Sequence, residues 1–295
     1  MRLGWRTVDG MQIRFGESAG SQGNADPVVL SGPWPESILA FEGIWPHLAG
    51  KADLLAIDLP GFGRSERRTE LLNPQAMGEF IVSVLDNWGI ERAHLVCPDV
   101  GTAASLFAAA AHPRRIRSLV VGTGATAYPL GVAGLLKDVI DAPDTSGLLA
   151  LEAERIVANV MAALGDAAPD EEVASDYVES NRAGRFAEAA RYVRSYPEQL
   201  PILAGLLPGI LTPVQIIAGR ADPIVPLANA EYLAARLTNS RLEVLDAGHF
   251  VWEEAPERYA ALVADWVAGG YLAEAGGQPE GIAATQKPDM EKEVS

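Results

Sequence analysis

Cysteine is nearly absent: Cys97 is the single one in 295 residues, so no intramolecular disulfide can form and the thiol content gives no sign of an oxidising compartment. Basic residues are short as well, 23 Lys and Arg against 39 Asp and Glu, for a formal net charge of −16. A chain this acidic is a poor partner for nucleic acid or for an anionic membrane, both of which select cationic surfaces. No apolar run is long enough to span a bilayer, and the opening Met1-Arg2-Leu3-Gly4-Trp5-Arg6 lacks the apolar core of a signal peptide. The cytoplasm is therefore the default expectation. With no metal or cofactor motif in view, the expected partner is a small apolar organic molecule. A homodimer is one assembly left open.

What is present is a regular alternation of buried strands and helices. Trp5 to Val8 and Met11 to Phe15 alternate apolar and polar around Asp9-Gly10, a strong hairpin signal. Apolar runs then recur at residues 27–30, 53–58, 93–97, 117–121, 212–218 and 241–245, separated by segments of helical character. Such alternation predicts an α/β fold, a mostly parallel sheet covered on both faces. Residues 38–48 read as one short apolar helix. Asn73-Pro74 supplies a cap and a first-turn proline for a helix whose stripe of Met77, Phe80, Ile81, Val84, Leu85 and Trp88 faces the core. From about 125 to 210 the alternation stops and helical composition takes over, then resumes. This marks a helical insertion between a first core part, 1–124, and a second, 211–272. Residues 273–295 have no periodicity and are expected to be disordered.

Chemistry concentrates at strand ends. Leu95-Val96-Cys97-Pro98-Asp99-Val100-Gly101-Thr102 joins a buried strand to a helix of small residues through a very tight turn, with Asp99 at its apex and small residues, Cys97 and Gly101, two positions away on each side. Asp99 there is either a nucleophile, backed by a helix N-terminus, or a plain N-cap. A carboxylate attacking carbon gives an alkyl ester, so a nucleophilic Asp99 points to an electrophilic carbon as target. Asp222 follows the next strand but one, and His249 follows the last. Nucleophile, acid, histidine is an order expected of one known sheet. His47, His94 and His112 read as structural, and Cys97 as a small residue shaping the turn. Tyr192 and Tyr196 stand one helical turn apart, and on local grounds both pack the insertion against the core.

From about Trp5 to Tyr271 the chain resembles the α/β-hydrolase superfamily, through Ser31-Gly32-Pro33-Trp34-Pro35, Asp58 to Ser65, Cys97 to Gly101, Gly219 to Pro226 and Ala247-Gly248-His249. The aspartate at the elbow resembles the epoxide hydrolase and haloalkane dehalogenase branch. That resemblance implies Asp99 as nucleophile, His249 as base, Asp222 as its partner, and a helical cap at 125–210 over the substrate. It also implies tyrosines in the cap that protonate an opening epoxide: Tyr192, whose surroundings Ala190 to Arg194 match, with Tyr196 in reserve and Tyr128 as a weaker first tyrosine. Pro33 has no N–H to give an oxyanion hole, which falls to Val100 and Trp34. Val100 stands where dehalogenases of this branch carry tryptophan or arginine, so epoxide hydrolysis is expected ahead of haloalkane or haloacid dehalogenation. A cap-enclosed ligand-binding protein, or a cofactor-free lyase or oxygenase using only His249 and Asp222, remains the alternative of a different class.

Overall fold

Asp9 and Gly10 both have positive φ, 49° and 77°, the backbone a two-residue turn needs if it is to match the right-handed twist of its strands. They join β1 (Arg2–Val8) to β2 (Met11–Glu17) in an antiparallel hairpin. The computed structural model describes residues 1–18 and 26–272. The polar, Gly-rich stretch 19–25 and the tail 273–295, expected to be disordered, lie outside the described residues.

Six more strands follow: β3 (Val28–Ser31), β4 (Leu54–Ile57), β5 (Ala93–Pro98), β6 (Ile116–Gly122), β7 (Val214–Gly219) and β8 (Ser240–Leu245). They form one eight-stranded sheet in the order β1-β2-β4-β3-β5-β6-β7-β8, with β2 antiparallel to β4 and every pair from β4 to β8 parallel. Because successive strand side chains point to opposite faces, Val29, Leu95, Cys97 and Ile216 join one core while Leu30, Val96 and Ile217 join the other. The first core is covered by α2 (Pro74–Asn87) and α3 (Val100–Ala111), the second by α1 (Trp45–Leu48), α10 (Val251–Glu254) and α11 (Pro256–Val267). Asn73 caps α2 by accepting the Ala76 N–H at 2.9 Å. No helix among the described residues is long and apolar enough to cross a membrane.

Between β6 and β7 run α4 (Gly134–Asp141), α5 (Ala153–Leu164), α6 (Glu171–Asn181), α7 (Arg185–Arg194) and α8 (Tyr196–Leu206), and α9 (Ala228–Ala234) follows β7. Two helices expected from the sequence are divided. Residues 38–48 form a 3-10 turn, Ile38–Phe41, and the separate α1; Pro46, with no N–H, cannot continue the first turn into the second. Tyr192 and Tyr196 do not share a helix, since the chain breaks at Ser195 and α8 starts at Tyr196. The cause is Pro197, which has no N–H to offer the carbonyl four residues back.

A buried charge network fastens this helical insertion to the sheet. The Arg14 side chain of β2 donates from Nε to Asp58 Oδ2 at 2.6 Å and from both terminal nitrogens to Asp176 of α6 at 2.6 and 2.8 Å. The Ser37 hydroxyl donates to the same Asp176 carboxylate at 2.6 Å. Asp58 in turn accepts the N–H groups of Ile38 and Arg64 at 2.9 and 3.0 Å. Nearby, the Arg185 guanidinium of α7 donates to the carbonyls of Gly63 and Ser65 at 2.8 and 2.7 Å. The loop 58–65, given no catalytic role from sequence, is thus a mount for the insertion. Removing one member of such a network strands a buried charge, which costs about 3 kcal/mol or more. Asp176→Ala is expected to lose about that much in urea unfolding, and Arg64→Ala, whose pairing with Asp176 at 3.3 Å is half-exposed, less than about 1 kcal/mol.

Candidate active site

The turn from β5 into α3 holds Asp99 at φ 51°, ψ −121°, a conformation that costs of order 1–3 kcal/mol for a residue with a side chain. Neighbours over-determine it. The Asp99 N–H donates to the Gly122 carbonyl at 2.9 Å and its own carbonyl accepts the Thr102 N–H at 3.0 Å. The Thr102 hydroxyl reaches the Gly122 carbonyl at 3.0 Å. Room is the second requirement: a Cβ on Gly101 would lie 2.2 Å from Ser31 Oγ and 3.0 Å from Cys97 Cβ. Cys97 is buried, and burial pushes its thiol up to about 11, which leaves it a small packed side chain without thiolate character.

The Asp99 side chain makes no capping bond to α3, so it is not the plain helix cap that the sequence left open. Its Oδ2 accepts the Trp34 N–H at 2.8 Å, and its Oδ1 lies 3.7 Å from His249 Nε2. Val100, the first residue of α3, carries an N–H that no helical carbonyl can take. The Trp34 N–H, from the loop after β3, is thus the backbone donor that holds the Asp99 carboxylate. The Trp34 ring is stacked on Phe186 of α7 at 4.8 Å.

His249 Nδ1 meets Asp222 Oδ2 at 2.8 Å, and Asp222 Oδ1 accepts the N–H groups of Ile224 and Val225, each at 2.8 Å. These two loops lie backbone to backbone: a Cβ on Gly219 would sit 1.8 Å from the Gly248 carbonyl oxygen. Glu254, a residue that sequence reasoning passed over, accepts the N–H groups of Gly248 and Phe250 at 2.6 and 3.0 Å and so pins the loop on both sides of His249. Burial pushes the imidazole pKa down, but the bonds and charges of Asp222 and Asp99 outweigh it and hold the pKa up at about 10. The ring thus lies between two aspartate side chains that favour its protonated form.

A cavity of about 430 Å³ opens over this group, a size typical of small-molecule sites. Asp99, His249, Trp34 and Tyr196 line it, and most of the remaining wall is apolar, from α4, α5 and α7. Asp222 stands behind His249. The two tyrosines of the insertion part company here. Tyr192 is fully buried away from the cavity wall, with its hydroxyl donating to the Val100 carbonyl at 2.8 Å. Tyr196 faces the cavity, its ring edge-on to Tyr192 at 5.8 Å, and its hydroxyl has no hydrogen bond among the described residues. Burial, with the Asp99 charge adding to it, pushes the Tyr196 phenol up and keeps it protonated. Tyr128 is 51 % exposed and is not part of the wall.

Behind the site lies a second buried acidic pair. Neither carboxyl oxygen of Glu36 has a donor, nor has Glu253 Oε2, while Glu253 Oε1 accepts the Tyr177 hydroxyl at 2.8 Å. Burial, then the neighbouring Glu253, pushes the Glu36 carboxyl well up. Nothing local in the sequence marks this pair, because its members are over 200 positions apart.

Comparison with known proteins agrees with this fold. Residues 28–262 match the model of the alpha/beta hydrolase family. The 2-hydroxymuconate semialdehyde hydrolase of Pseudomonas sp. (strain CF600) is 30 % identical over 253 residues, covering 81 % of this chain and 84 % of that one. Among solved structures, Cfl2 from Burkholderia cenocepacia superposes with a TM-score of 0.78 at 21 % identity, over 90 % of this chain and 95 % of that one. Epoxide hydrolase A from Mycobacterium thermoresistibile gives 0.73 at 20 % identity, over 90 % and 98 %. Sheet order, the strained elbow and a strand-end carboxylate and histidine in the right succession, together with a family match over most of the chain, lead to one conclusion: this protein belongs to the alpha/beta hydrolase family.

Proposed function

We propose that the protein is an epoxide hydrolase-like enzyme in which Asp99 forms an alkyl ester with its substrate. The observation that carries this reading is the division of the Asp99 carboxylate, one oxygen held by the Trp34 N–H and the other free toward His249 and the cavity. A carboxylate adding to a carbonyl would form an anhydride, a high-energy product. Adding to a saturated ring carbon it forms an ordinary ester and breaks the strained C–O bond. The relatives differ in what their names say they act on, so the choice rests on the apex residue.

In the first step Asp99 Oδ1 attacks a ring carbon and the departing oxygen takes a proton from Tyr196. Tyr196 is preferred over Tyr192 because its hydroxyl is free at the cavity, whereas the Tyr192 proton is engaged with the Val100 carbonyl. Ester formation then removes the Asp99 charge. One of the two carboxylates holding the His249 proton is gone, so the imidazole pKa falls, the ring gives that proton to the Tyr196 phenolate, restoring the phenol, and then acts as base toward water. Water adds to the ester carbon, the oxyanion is met by the N–H groups of Trp34 and Val100, and collapse releases a diol and restores Asp99. A haloalkane could undergo the same attack: the Val100 side chain offers a leaving halide no N–H, whereas the Trp34 indole N–H, buried without a partner in a residue of the cavity wall, is a donor that could receive it.

Three measurements test the reading. With His249→Gln and a panel of small apolar epoxides, intact-protein mass spectrometry is expected to show an adduct of the epoxide's mass on Asp99, absent from Asp99→Asn; no adduct with any epoxide rejects the mechanism. Histidine-labelled protein is expected to show the His249 titration, near pH 10 in the free enzyme, move to lower pH in Asp99→Asn, because the variant removes a stabilising negative charge. In single-turnover kinetics, Tyr196→Phe is expected to slow alkylation about a hundredfold, while Tyr192→Phe leaves it within about threefold and lowers stability by roughly 1 kcal/mol, the cost of an unanswered buried carbonyl.

A further inference from the structure

In the run Pro33-Trp34-Pro35 that follows β3, only Trp34 has an N–H to give, and it goes to Asp99 Oδ2 at 2.8 Å. Both ends of this loop rest on the end of β4. The Gly32 N–H donates to the Ile57 carbonyl and the Ile38 N–H to Asp58 Oδ1, each at 2.9 Å. Its middle is held by the insertion. The Asn181 side chain, on the last residue of α6, donates to the Pro35 carbonyl at 2.6 Å. Phe186 of α7 stacks on the Trp34 ring at 4.8 Å, and Asp176 of α6 accepts the Ser37 hydroxyl at 2.6 Å.

Asn181 is 4 % exposed, and its amide donates a second time, to the Tyr177 carbonyl one turn back in its own helix, at 2.7 Å. One bond therefore fixes the side chain to α6, and the other carries that position across 146 residues of sequence to the loop. A proline ring sets φ at Pro35, which leaves few free torsions between the Pro35 carbonyl and the Trp34 N–H. Holding the first restrains the second.

We propose that Asn181 is a positioning residue: by holding the Pro35 carbonyl it sets the Trp34 N–H against Asp99, so that the insertion helps to place the donor that meets the oxyanion. The proposal rests on the ester mechanism above and adds a residue to its second step. The two steps draw on this donor differently. During alkylation the oxygen it holds, Asp99 Oδ2, loses charge and becomes an ester carbonyl; during hydrolysis the same oxygen gains a full negative charge. A hydrogen bond to a charged oxygen is about twice as strong as one to a neutral oxygen. A displaced Trp34 N–H therefore slows hydrolysis and spares alkylation.

Two variants test this. Asn181→Ala removes both bonds, whereas Asn181→Ser removes only the one to Pro35, because a serine hydroxyl bonds the carbonyl four residues back in its helix and is too short to bridge to the loop. Arg182→Ala is the control, since Arg182 is exposed and paired with Glu154 and Glu179. In protein carrying isotope-labelled tryptophan, the Trp34 amide resonance is assigned by its loss in Trp34→Phe. It is expected to move upfield and to exchange faster with solvent in both Asn181 variants, and to stay in place in Arg182→Ala. With styrene oxide in single-turnover kinetics, hydrolysis of the Asp99 ester is expected to slow about tenfold in both, part of the roughly hundredfold that loss of an oxyanion donor costs, while alkylation stays within about threefold. A Trp34 amide that responds to neither variant, hydrolysis at the wild-type rate, or both steps slowed alike overturns the proposal. The amide resonance needs no substrate, so the two readings fail separately. If epoxides label Asp99 while the resonance stays in place, the role of Asn181 is wrong and the hydrolase reading stands. If the resonance moves while no epoxide labels Asp99, the positioning of Trp34 stands and the reaction is another one.

Discussion

One imidazole held between two carboxylates is the constraint on which the rest of this structure depends. His249 touches Asp222 at 2.8 Å and stands 3.7 Å from Asp99, with all three side chains buried or nearly so. Charges taken out of water are tolerable only when each is answered, and the loops are arranged to answer them. Asp222 receives two backbone N–H groups, Asp99 receives one from Trp34, and Glu254 fixes the His249 loop from both sides. The trio carries one net negative charge when the ring is protonated. A reaction that neutralises Asp99 therefore changes the state of His249 without any movement of the backbone.

The sheet explains why these groups meet. Trp34 follows β3, Asp99 follows β5, Asp222 follows β7 and His249 follows β8, all at the carboxyl ends of parallel strands. Strand order reverses between β3 and β5: from β3 the chain passes to β4 on one side, then crosses back to β5 on the other. Crevices in open parallel sheets form at such a reversal. The elbow lies there, with Ser31 close enough to Gly101 that a Cβ would be excluded. The strain at Asp99 is held by contacts on both flanking strands, β3 and β6.

Legibility in the sequence followed the range of the interactions. The hairpin at Asp9-Gly10, the cap at Asn73 and the strand-elbow-helix at Asp99 are local, and their residue types disclose them. Asp222 and His249 were legible through chain order, since each directly follows a buried strand. The tyrosines were not resolved, because spacing placed Tyr192 and Tyr196 on one helix while Pro197 starts a new one and turns only the second ring to the cavity. Arg14 and Asp176 lie 162 positions apart, and nothing in either neighbourhood announces the other.

The division of labour between sheet and insertion follows from the same geometry. Asp99, Asp222, His249 and the Trp34 N–H come from strand ends that pack against each other within the sheet's own loops. The rest of the cavity wall, Tyr196, Phe186 and the apolar side chains of α4 and α5, comes from helices inserted between β6 and β7. Those helices are not loosely laid over the site: Arg14 and Arg185 tie α6 and α7 to the loop 58–65 and to β2. A fixed mount lets side chains of the insertion be exchanged without moving the charged trio. Differences among relatives of this fold in what they act on can therefore arise in the insertion and at the apex residue, two places with separate consequences. On the proposed reading, the insertion would decide what fits and how it is oriented, and the apex which atom is attacked.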